Sequence, residues 1–344
     1  MKKSHVIVFI CIFMLVSPLV SAVRFSQDNP PQGIKRLLLQ IERATRGMEG
    51  KVGLAATHIE SGENIALNSD EFFPLASVFK VPIFVDLMAR VLEGEFSLED
   101  EIRIQKTDQH LGSGMLATLD APGITLSLRN LAKMMMMISD NSATDILFNK
   151  LGPDSINARL KSFGIEGITV NRSCQHLIME AIGLDFEAHK GKTRDEVIAS
   201  YRQKLKKDPD LGKQAQKEFS TILLDQSTPR AMTNLLEKIF TQKILDKKSC
   251  DFIIDVMLKC DTGKGRIKGG LPPGTAVAHK TGTIGGTVND VGIIYLPDGL
   301  GHVAVSIFFK DTAEGKTKEI EEKIAKISRF IYDYFYFTAP VNSH

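Results

Sequence analysis

Residues 276–309, AVAHKTGTIGGTVNDVGIIYLPDGLGHVAVSIFF, decide the fold of this chain. The segment contains three strand-like runs: Ala276–Ile284, Asp290–Leu296 and Val303–Phe309. The links between them, Gly285-Gly286 and Pro297-Asp298-Gly299, are short, and short links join antiparallel neighbours. We therefore predict an antiparallel meander near the carboxyl end of the chain.

The two ends of the chain share this mixed character, whereas the middle is mainly helical. An amino-terminal helix precedes strand-like pieces at Val52–Ile59 and Asn64–Leu67, and a helix from Lys318 to about Tyr334 follows the meander. The pattern predicts an α/β (α+β) fold, in which an antiparallel sheet is flanked by helices and an all-helical domain is inserted. We assign residues 23–82 and 227–344 to the α/β domain and residues 83–226 to the helical domain.

Residues 185–220 differ from the rest of the helical domain because they carry dense mixed charge and few aromatic side chains. Thr193 to Glu196 fits a capping box that opens a helix, and Asp208-Pro209-Asp210 ends it. We interpret this segment as a solvated surface insertion, with a substrate-binding lid as the alternative.

The amino terminus is typical of an export signal. Lys2 and Lys3 precede an apolar run, Val6–Val20, and Val20-Ser21-Ala22 supplies small residues where a signal peptidase cleaves. We predict a signal peptide at residues 1–22, cleaved after Ala22, and a secreted or periplasmic protein. An uncleaved membrane anchor is the alternative, although the run is short for a span.

Composition and charge exclude several classes of function. Without residues 1–22, the basic and acidic residues balance at 41 each, which gives no electrostatic footprint for nucleic acid or an anionic membrane. The remaining cysteines, Cys174, Cys250 and Cys260, are odd in number, and no Cys/His spacing resembles a metal site. We expect a cofactor-free and metal-free monomer that acts on a small molecule or peptide.

Three short motifs carry the chemistry: Ser77-Val78-Phe79-Lys80, Ser139-Asp140-Asn141 and Lys280-Thr281-Gly282. A helix predicted from Ser77 to Leu92 places Lys80 one turn after Ser77, on the same face. A serine becomes nucleophilic when a nearby base takes its proton, and a lysine can do this if burial lowers its pKa. Each motif alone also fits a helix cap, a turn or an edge strand. Chance does not account for all three in this order, which favours a site where Ser77 reacts beside Lys80.

From about Gly33 to its carboxyl end, the chain resembles class A serine β-lactamases and related penicillin-binding proteins, whose motif set this is. The resemblance implies a β-lactamase/transpeptidase-like fold and acylation of Ser77, with Lys80 as base and Ser139 as proton donor. It also implies substrate-binding roles, held by Asn141, Lys280, Thr281, Gly282 and Thr283. The backbone N–H groups of Ser77 and Thr283 would form the oxyanion hole.

One departure from the class A pattern concerns the release of the acyl group. These enzymes activate the hydrolytic water with a glutamate in an E-x-x-L-N pattern, and the comparable stretch here, residues 171–176, contains none. In class A enzymes an arginine begins the loop that carries this glutamate, and Arg172 matches it. The residue two positions later in this chain is Cys174, not a glutamate. Glu180 is the nearest acid and our candidate for the deacylating base, and His176 is a second conceivable base.

These observations leave three hypotheses open. The first is a class A-type serine β-lactamase that hydrolyses the β-lactam amide through a Ser77 acyl-enzyme. The second is a D,D-peptidase, a penicillin-binding protein that acts on peptidoglycan peptides. The third is a β-lactam-binding or sensor domain that is acylated without turnover.

Overall fold

The computed structural model of the protein describes residues 31–219 and 224–339. The predicted signal peptide and its cleavage site after Ala22 lie outside these residues.

The α-helices are α1 (Gln32–Thr45), α2 (Lys80–Leu92), α3 (Leu128–Met137), α4 (Asn141–Leu151), α5 (Pro153–Ser162), α6 (Cys174–Ala181), α7 (Arg194–Lys207), α8 (Leu211–Phe219), α9 (Pro229–Phe240), α10 (Lys247–Leu258), α11 (Ile267–Gly270) and α12 (Thr317–Thr338). The strands are β1 (Lys51–His58), β2 (Asn64–Leu67), β3 (Phe73–Pro74), β4 (Glu101–Arg103), β5 (Thr125–Ser127), β6 (Ile168–Thr169), β7 (Gln226–Ser227), β8 (Val277–Ile284), β9 (Thr287–Tyr295) and β10 (His302–Lys310).

The main sheet has five antiparallel strands in the order β2-β1-β10-β9-β8. The predicted meander is confirmed as β8, β9 and β10, and the first hairpin pairs with it through β1 and β10. This order brings the two ends of the chain into one sheet and leaves β8 as an edge strand. The predicted α/β (α+β) class, with an antiparallel sheet flanked by helices, is confirmed.

Both faces of the sheet are buried, each against its own set of helices. Along β10, Val303, Val305 and Ile307 face the core formed with α1 and α12. The alternate residues Ala304 and Phe308 face the core shared with α2, α3, α4, α9 and α10. Strands covered on both sides read as continuous apolar runs, which accounts for the sequence of β10.

The middle of the chain is mainly helical, as predicted, but it also contributes two small sheets. Strand β4 pairs with β5, and β6 pairs with β7, which in turn pairs with β3 near the main sheet. These pairings involve two or three residues each, so they are too short to produce a recognisable alternation in the sequence. The assignment of residues 83–226 to a separate helical domain stays a prediction.

The predicted helix from Ser77 to Leu92 begins differently from the prediction. Residues Ala76–Phe79 form a 3₁₀ turn, and the α-helix starts only at Lys80. Pro82 explains the change because it has no N–H group to donate to the carbonyl of Val78 in a continuous α-helix. The N–H of Lys80 instead reaches the carbonyls of Ser77 and Val78.

The charged insertion folds as two helices, α7 and α8, joined at the predicted break near Asp208–Asp210. The predicted capping box is present, with the side chain of Thr193 accepting from the N–H of Glu196 and the Glu196 carboxylate accepting from the N–H of Thr193. Helix α8 packs against α6, so the insertion also supports the segment that follows Arg172. The cysteines of the described residues are all free thiols.

We predict that Phe308→Ala lowers the free energy of unfolding by about 3–5 kcal/mol, because it removes a fully buried ring from the core. The ring centroids of Phe308 and Phe73 lie 6.0 Å apart, and this contact is lost as well. Urea denaturation measures the change. The control is Phe337→Ala, whose side chain is 79% exposed, and it should change stability by less than about 0.5 kcal/mol. Equal losses in the two variants would contradict the core position of Phe308.

Candidate active site

The three sequence motifs meet at one cavity of about 350 Å³ beside the edge strand β8. Its walls come from the 3₁₀ turn, the turn between α3 and α4, the start of α6 and strand β8. The lining residues from the three motifs and their immediate neighbours are Ala76, Ser77, Phe79, Ser139, Asn141, Thr281, Gly282 and Thr283. The fold therefore assembles residues that lie more than 200 positions apart in sequence.

Ser77 occupies the middle of the 3₁₀ turn, half-buried at the cavity wall. Side chains three residues apart eclipse one another in a 3₁₀ turn, which puts Ser77 and Lys80 on one side. Strand β8 approaches this turn closely at Gly282. A Cβ atom there would lie 2.8 Å from the carbonyl oxygen of Leu75 and 3.1 Å from the nitrogen of Ser77. Glycine is thus required for strand β8 to pack beside Ser77.

Lys80 is fully buried and its ammonium is held by the second motif. The Nζ atom donates to the carbonyl oxygen of Ser139 at 2.8 Å, to Ser139 Oγ at 3.0 Å and to Asn141 Oδ1 at 2.8 Å. Burial lowers the pKa of Lys80, although Cys174, Asp145 and Asp140 oppose the shift. The neutral amine, which is the form that can act as a base, is therefore more accessible than in an exposed lysine.

Lys280 is also fully buried, and it approaches the same hydroxyl from the other side. Its Nζ donates to Ser139 Oγ at 3.0 Å and to the carbonyl oxygen of Thr281 at 2.8 Å. Burial and the neighbouring charge of Lys80 lower the pKa of Lys280 to about 7. Because Ser139 Oγ accepts from both amines, its own proton remains available for a group in the cavity.

Asp140 of the second motif points away from the cavity and secures the loop beside it. Its Oδ2 accepts from the N–H groups of Met115 and Leu116, at 2.7 and 2.8 Å, and its Oδ1 caps α4 by accepting from Ala143. A side chain on Gly114 would collide with the carboxylate of Asp140. The aspartate therefore positions Ser139 and Asn141 by holding the loop and helix α4 together.

The start of α6 forms the cavity wall nearest to the predicted deacylating base. Cys174, Leu177 and Ile178 line the cavity there. Asp145 holds this segment by accepting from the N–H groups of Cys174 and Gln175, at 2.6 and 2.9 Å. Burial raises the pKa of the Cys174 thiol, so it stays protonated at neutral pH. No carboxylate is present among the cavity-lining residues that the structure describes.

The structure does not bring Glu180 or His176 to this lining. The Glu180 carboxylate is paired with the guanidinium of Arg172, and its second oxygen lies 2.9 Å from His176 Nε2. The His176 ring stacks on Phe186, with 4.2 Å between centroids, and this contact fixes its orientation. Arg172 also binds Asp225, which ties α6 to the segment before β7.

Arg266 is a cavity-lining residue to which the sequence analysis assigned no role. Its guanidinium donates to Thr283 Oγ1 at 2.6 Å and to the carbonyl oxygens of Gly282 and Asn289, at 3.0 and 2.7 Å. Glu321 on α12 pairs with its Nε at 3.0 Å. The hydrogen-bond partners of Arg266 come from β8, β9 and α12, so its place in the cavity wall depends on the tertiary structure.

A family model described as "Beta-lactamase enzyme family" matches residues 35–335 of the chain. The chain belongs to this family. Among its relatives, β-lactamase VEB-1 of Pseudomonas aeruginosa is 29% identical over 310 residues, covering 87% of this chain and 90% of that protein. The extended-spectrum β-lactamase PER-1 of the same organism is 27% identical over 323 residues, covering 91% of each.

Solved structures agree with this assignment. The crystal structure of the TLA-1 extended-spectrum β-lactamase superposes with a TM-score of 0.70 at 25% identity, covering 89% of this chain and 100% of that one. A structure of PBP-A shares the fold, with a TM-score of 0.69 at 23% identity and coverage of 89% and 97%. The predictions of a class A-type serine β-lactamase family, of its fold and of a hydrolase are confirmed.

We predict that Asp140→Asn lowers the free energy of unfolding by about 2–3 kcal/mol, because an amide presents N–H groups to a site that holds only N–H donors. Thermal or urea denaturation measures the change. The matched control, Asp261→Asn, alters an exposed aspartate paired with Lys264, and should shift stability by less than about 0.5 kcal/mol. A neutral Asp140→Asn would refute the anchoring role.

Proposed function

We propose that this β-lactamase family member opens the amide of a β-lactam by transferring its acyl group to Ser77. In this step a bond forms between Ser77 Oγ and the carbonyl carbon, and the carbon–nitrogen bond of the lactam breaks. The observation that carries the proposal is that Ser77 and Ser139 line one cavity, while the buried amines of Lys80 and Lys280 both donate to Ser139 Oγ. Reaction with a covalent intermediate divides one difficult hydrolysis into two easier steps.

The proton would travel from Ser77 to the leaving nitrogen through two side chains. Lys80, whose pKa burial lowers, accepts the proton from Ser77 Oγ as the bond to carbon forms. The Nζ of Lys80 lies 3.0 Å from Ser139 Oγ, so Ser139 can receive a proton from Lys80 while it donates its own to the nitrogen. The contact between Lys80 and Ser139 is already formed before substrate binds.

Substrate recognition would use the opposite wall of the cavity. The ammonium of Lys280 supplies positive charge for a substrate carboxylate, and the hydroxyls of Thr281 and Thr283 provide hydrogen bonds beside it. Gly282 lets strand β8 pack beside Ser77. Asn141 would bind the side-chain amide of the substrate. The N–H groups of Ser77 and Thr283 serve as the oxyanion hole, a role carried over from the family resemblance.

The second half of the reaction, hydrolysis of the acyl-enzyme, would be slow. A deacylating base must reach a water beside the ester, and the α6 wall offers the neutral thiol of Cys174 and apolar Leu177 and Ile178. Glu180 remains the predicted base, but its carboxylate would have to leave Arg172 and His176 to reach the cavity. The proposed acylation residues, Ser77, Lys80 and Ser139, are therefore better supported by the cavity geometry than Glu180 is as the hydrolytic base.

A D,D-peptidase acting on peptidoglycan peptides is the second candidate function. The observation that favours it is the described cavity lining without a carboxylate, since a β-lactam would then remain on Ser77 and block the site. A peptide ester has a different shape from an opened lactam, so its acyl group could be released to another acceptor. Cleavage of a peptide ending in D-Ala-D-Ala distinguishes this function from lactam hydrolysis.

We also propose that the chain is exported and acts as a monomer. Lys2, Lys3 and the apolar run Val6–Val20, followed by Val20-Ser21-Ala22, support export. In the part of the chain that the structure describes, no helix is long and apolar enough to cross a membrane. Export would place the enzyme in the compartment where peptidoglycan is cross-linked.

We predict that Ser77→Ala abolishes covalent adduct formation with a chromogenic cephalosporin, because the nucleophilic oxygen is removed. Intact mass spectrometry detects the adduct, and absorbance follows hydrolysis in the same sample. Ser162→Ala, at an exposed position on α5, serves as the control and should behave like the unmodified protein. An adduct on the Ser77→Ala variant would show that the nucleophile is a different residue.

We predict that Cys174→Glu accelerates loss of the lactam adduct by about 10²–10⁴-fold, the usual contribution of a general base. Cys174→Gln is the matched control, because it has nearly the same shape but cannot take a proton. The rate of adduct loss, measured by intact mass, should rise only in the glutamate variant.

The same measurement on Glu180→Gln tests the predicted base. If Glu180 activates water, this variant keeps rapid acylation and loses turnover. If turnover is unchanged, Glu180 acts only as the partner of Arg172 and His176.

A further inference from the structure

The loop at residues 111–115 presents one polar side chain, Ser113, to the cavity. The residues on either side of it are glycines with positive φ angles, 95° at Gly112 and 116° at Gly114. A Cβ atom on Gly112 would lie 2.3 Å from Asn141 Nδ2, so the loop comes this close to the second motif only with glycine there. The proposed mechanism gives Ser113 no role.

The hydroxyl of Ser113 is hydrogen-bonded to the backbone of the proposed proton donor, Ser139. Ser113 Oγ donates to the carbonyl oxygen of Ser139 at 2.7 Å and lies 3.4 Å from Asn141 Oδ1. The carbonyl oxygen of Ser113 accepts from the N–H of Asn141 at 2.9 Å. The backbone of Ser113 therefore holds Asn141, and its side chain holds Ser139.

The backbone of Ser139 adopts a conformation that serine rarely takes. Its φ angle is 58°, in the left-handed region. Such a conformation persists only where the surrounding contacts hold it. Two donors hold the carbonyl oxygen of Ser139, Ser113 Oγ at 2.7 Å and Lys80 Nζ at 2.8 Å, and together they use both of its lone pairs. Because the backbone angles set the direction of a side chain, these contacts help to place Ser139 Oγ.

Of these two donors, only Ser113 keeps its proton throughout the proposed mechanism. As an ammonium, Lys80 has three N–H groups, which match its three acceptors: the carbonyl oxygen and Oγ of Ser139, and Asn141 Oδ1. As a neutral amine it has two N–H groups, so at least one acceptor loses its donor when Lys80 becomes the base. The hydroxyl of Ser113 still donates to the carbonyl oxygen of Ser139 in that state.

We propose that Ser113 is a positioning residue, which holds Ser139 in place for proton donation while Lys80 changes its protonation state. This proposal rests on the proposed function and adds to it a residue outside the three motifs. In the step concerned, Ser77 Oγ bonds to the carbonyl carbon and the carbon–nitrogen bond of the lactam breaks. The nitrogen takes the proton of Ser139 Oγ, and Lys80 replaces that proton with the one it accepted from Ser77.

Two variants and a matched control isolate the hydroxyl of Ser113. Ser113→Ala removes the hydroxyl, and Ser113→Thr keeps one. The control is Thr118→Ala, because Thr118 is also exposed and its hydroxyl donates to the carbonyl oxygen of Met115 at 2.7 Å, outside the described cavity lining. Circular dichroism and urea denaturation establish that each variant is folded before it is compared.

The first measurement is the rate constant of acylation by a penicillin, followed by intact mass at several penicillin concentrations. Ser113→Ala should acylate roughly fivefold more slowly, which is the usual value of one hydrogen bond, with an unchanged dissociation constant for the penicillin. Ser113→Thr should restore most of the rate, and Thr118→Ala should stay within about twofold of the unmodified protein. An unchanged rate in Ser113→Ala would overturn the proposal.

The second measurement repeats the substitution in a protein that lacks the proton donor. If Ser113 acts through Ser139, adding Ser113→Ala to Ser139→Ala should slow acylation by less than about twofold further. If the full loss appears again in this background, Ser113 acts on some other group and the proposal fails.

The third measurement compares two leaving groups. The nitrogen of a lactam needs a proton to leave, whereas the p-nitrophenyl ester of phenylacetylglycine releases a phenolate that needs none. Ser113→Ala should therefore slow acylation by the penicillin and leave acylation by the ester within about twofold of the unmodified protein. An equal loss with both reagents would indicate a merely structural role of Ser113 and overturn the proposal.

Failure of the proposed function is distinguishable from failure of this inference. If the unmodified protein forms no adduct on Ser77, the proposed function fails. Crystal structures of the unmodified protein and of Ser113→Ala then test the inference without a substrate. The expected result is that Ser139 Oγ in the variant shifts out of its hydrogen bond with Lys80 or occupies two positions. An unchanged Ser139 would refute the positioning role.

Discussion

The burial of two lysines around one hydroxyl group is the constraint on which the site depends. Lys80 and Lys280 are both fully buried and both donate to Ser139 Oγ at 3.0 Å. Two like charges this close, and out of water, favour loss of one proton. In the proposed mechanism, Lys80 serves as the base and Lys280 as the cation. Helix α2 carries Lys80, the turn before α4 carries Ser139, and the edge strand β8 carries Lys280. The packing of these three elements brings the two amines to one hydroxyl.

Carboxylates outside the cavity hold the parts that the lysines require. Asp140 ties the loop at Met115 to the start of α4, and Asp145 ties Cys174 to the same helix. Each accepts several N–H groups, so each is satisfied without entering the cavity. The geometry of acylation is thus maintained by buried hydrogen bonds rather than by the reacting groups themselves.

The two halves of the reaction were not equally predictable. Ser77 and Lys80 are three residues apart, so a single local turn places both side chains on one side. The base for hydrolysis had no such local constraint. Glu180 is the nearest acid in sequence, yet in the folded chain its carboxylate is paired with Arg172 and lies near His176. Proximity along the chain does not predict proximity in space here, because the segment after Arg172 departs from the class A pattern.

The sequence by itself determined the mixed fold and the meander, and it supplied the three motifs from which the acylation residues are proposed. Short-range periodicity, capping residues and turn residues encode these features, and they act over a few positions. Only the tertiary structure decided the place of Arg266 in the cavity wall and the burial of Lys80 and Lys280 around Ser139. Both depend on side chains brought together from distant elements, and burial in this interior lowers the pKa of each of the two lysines.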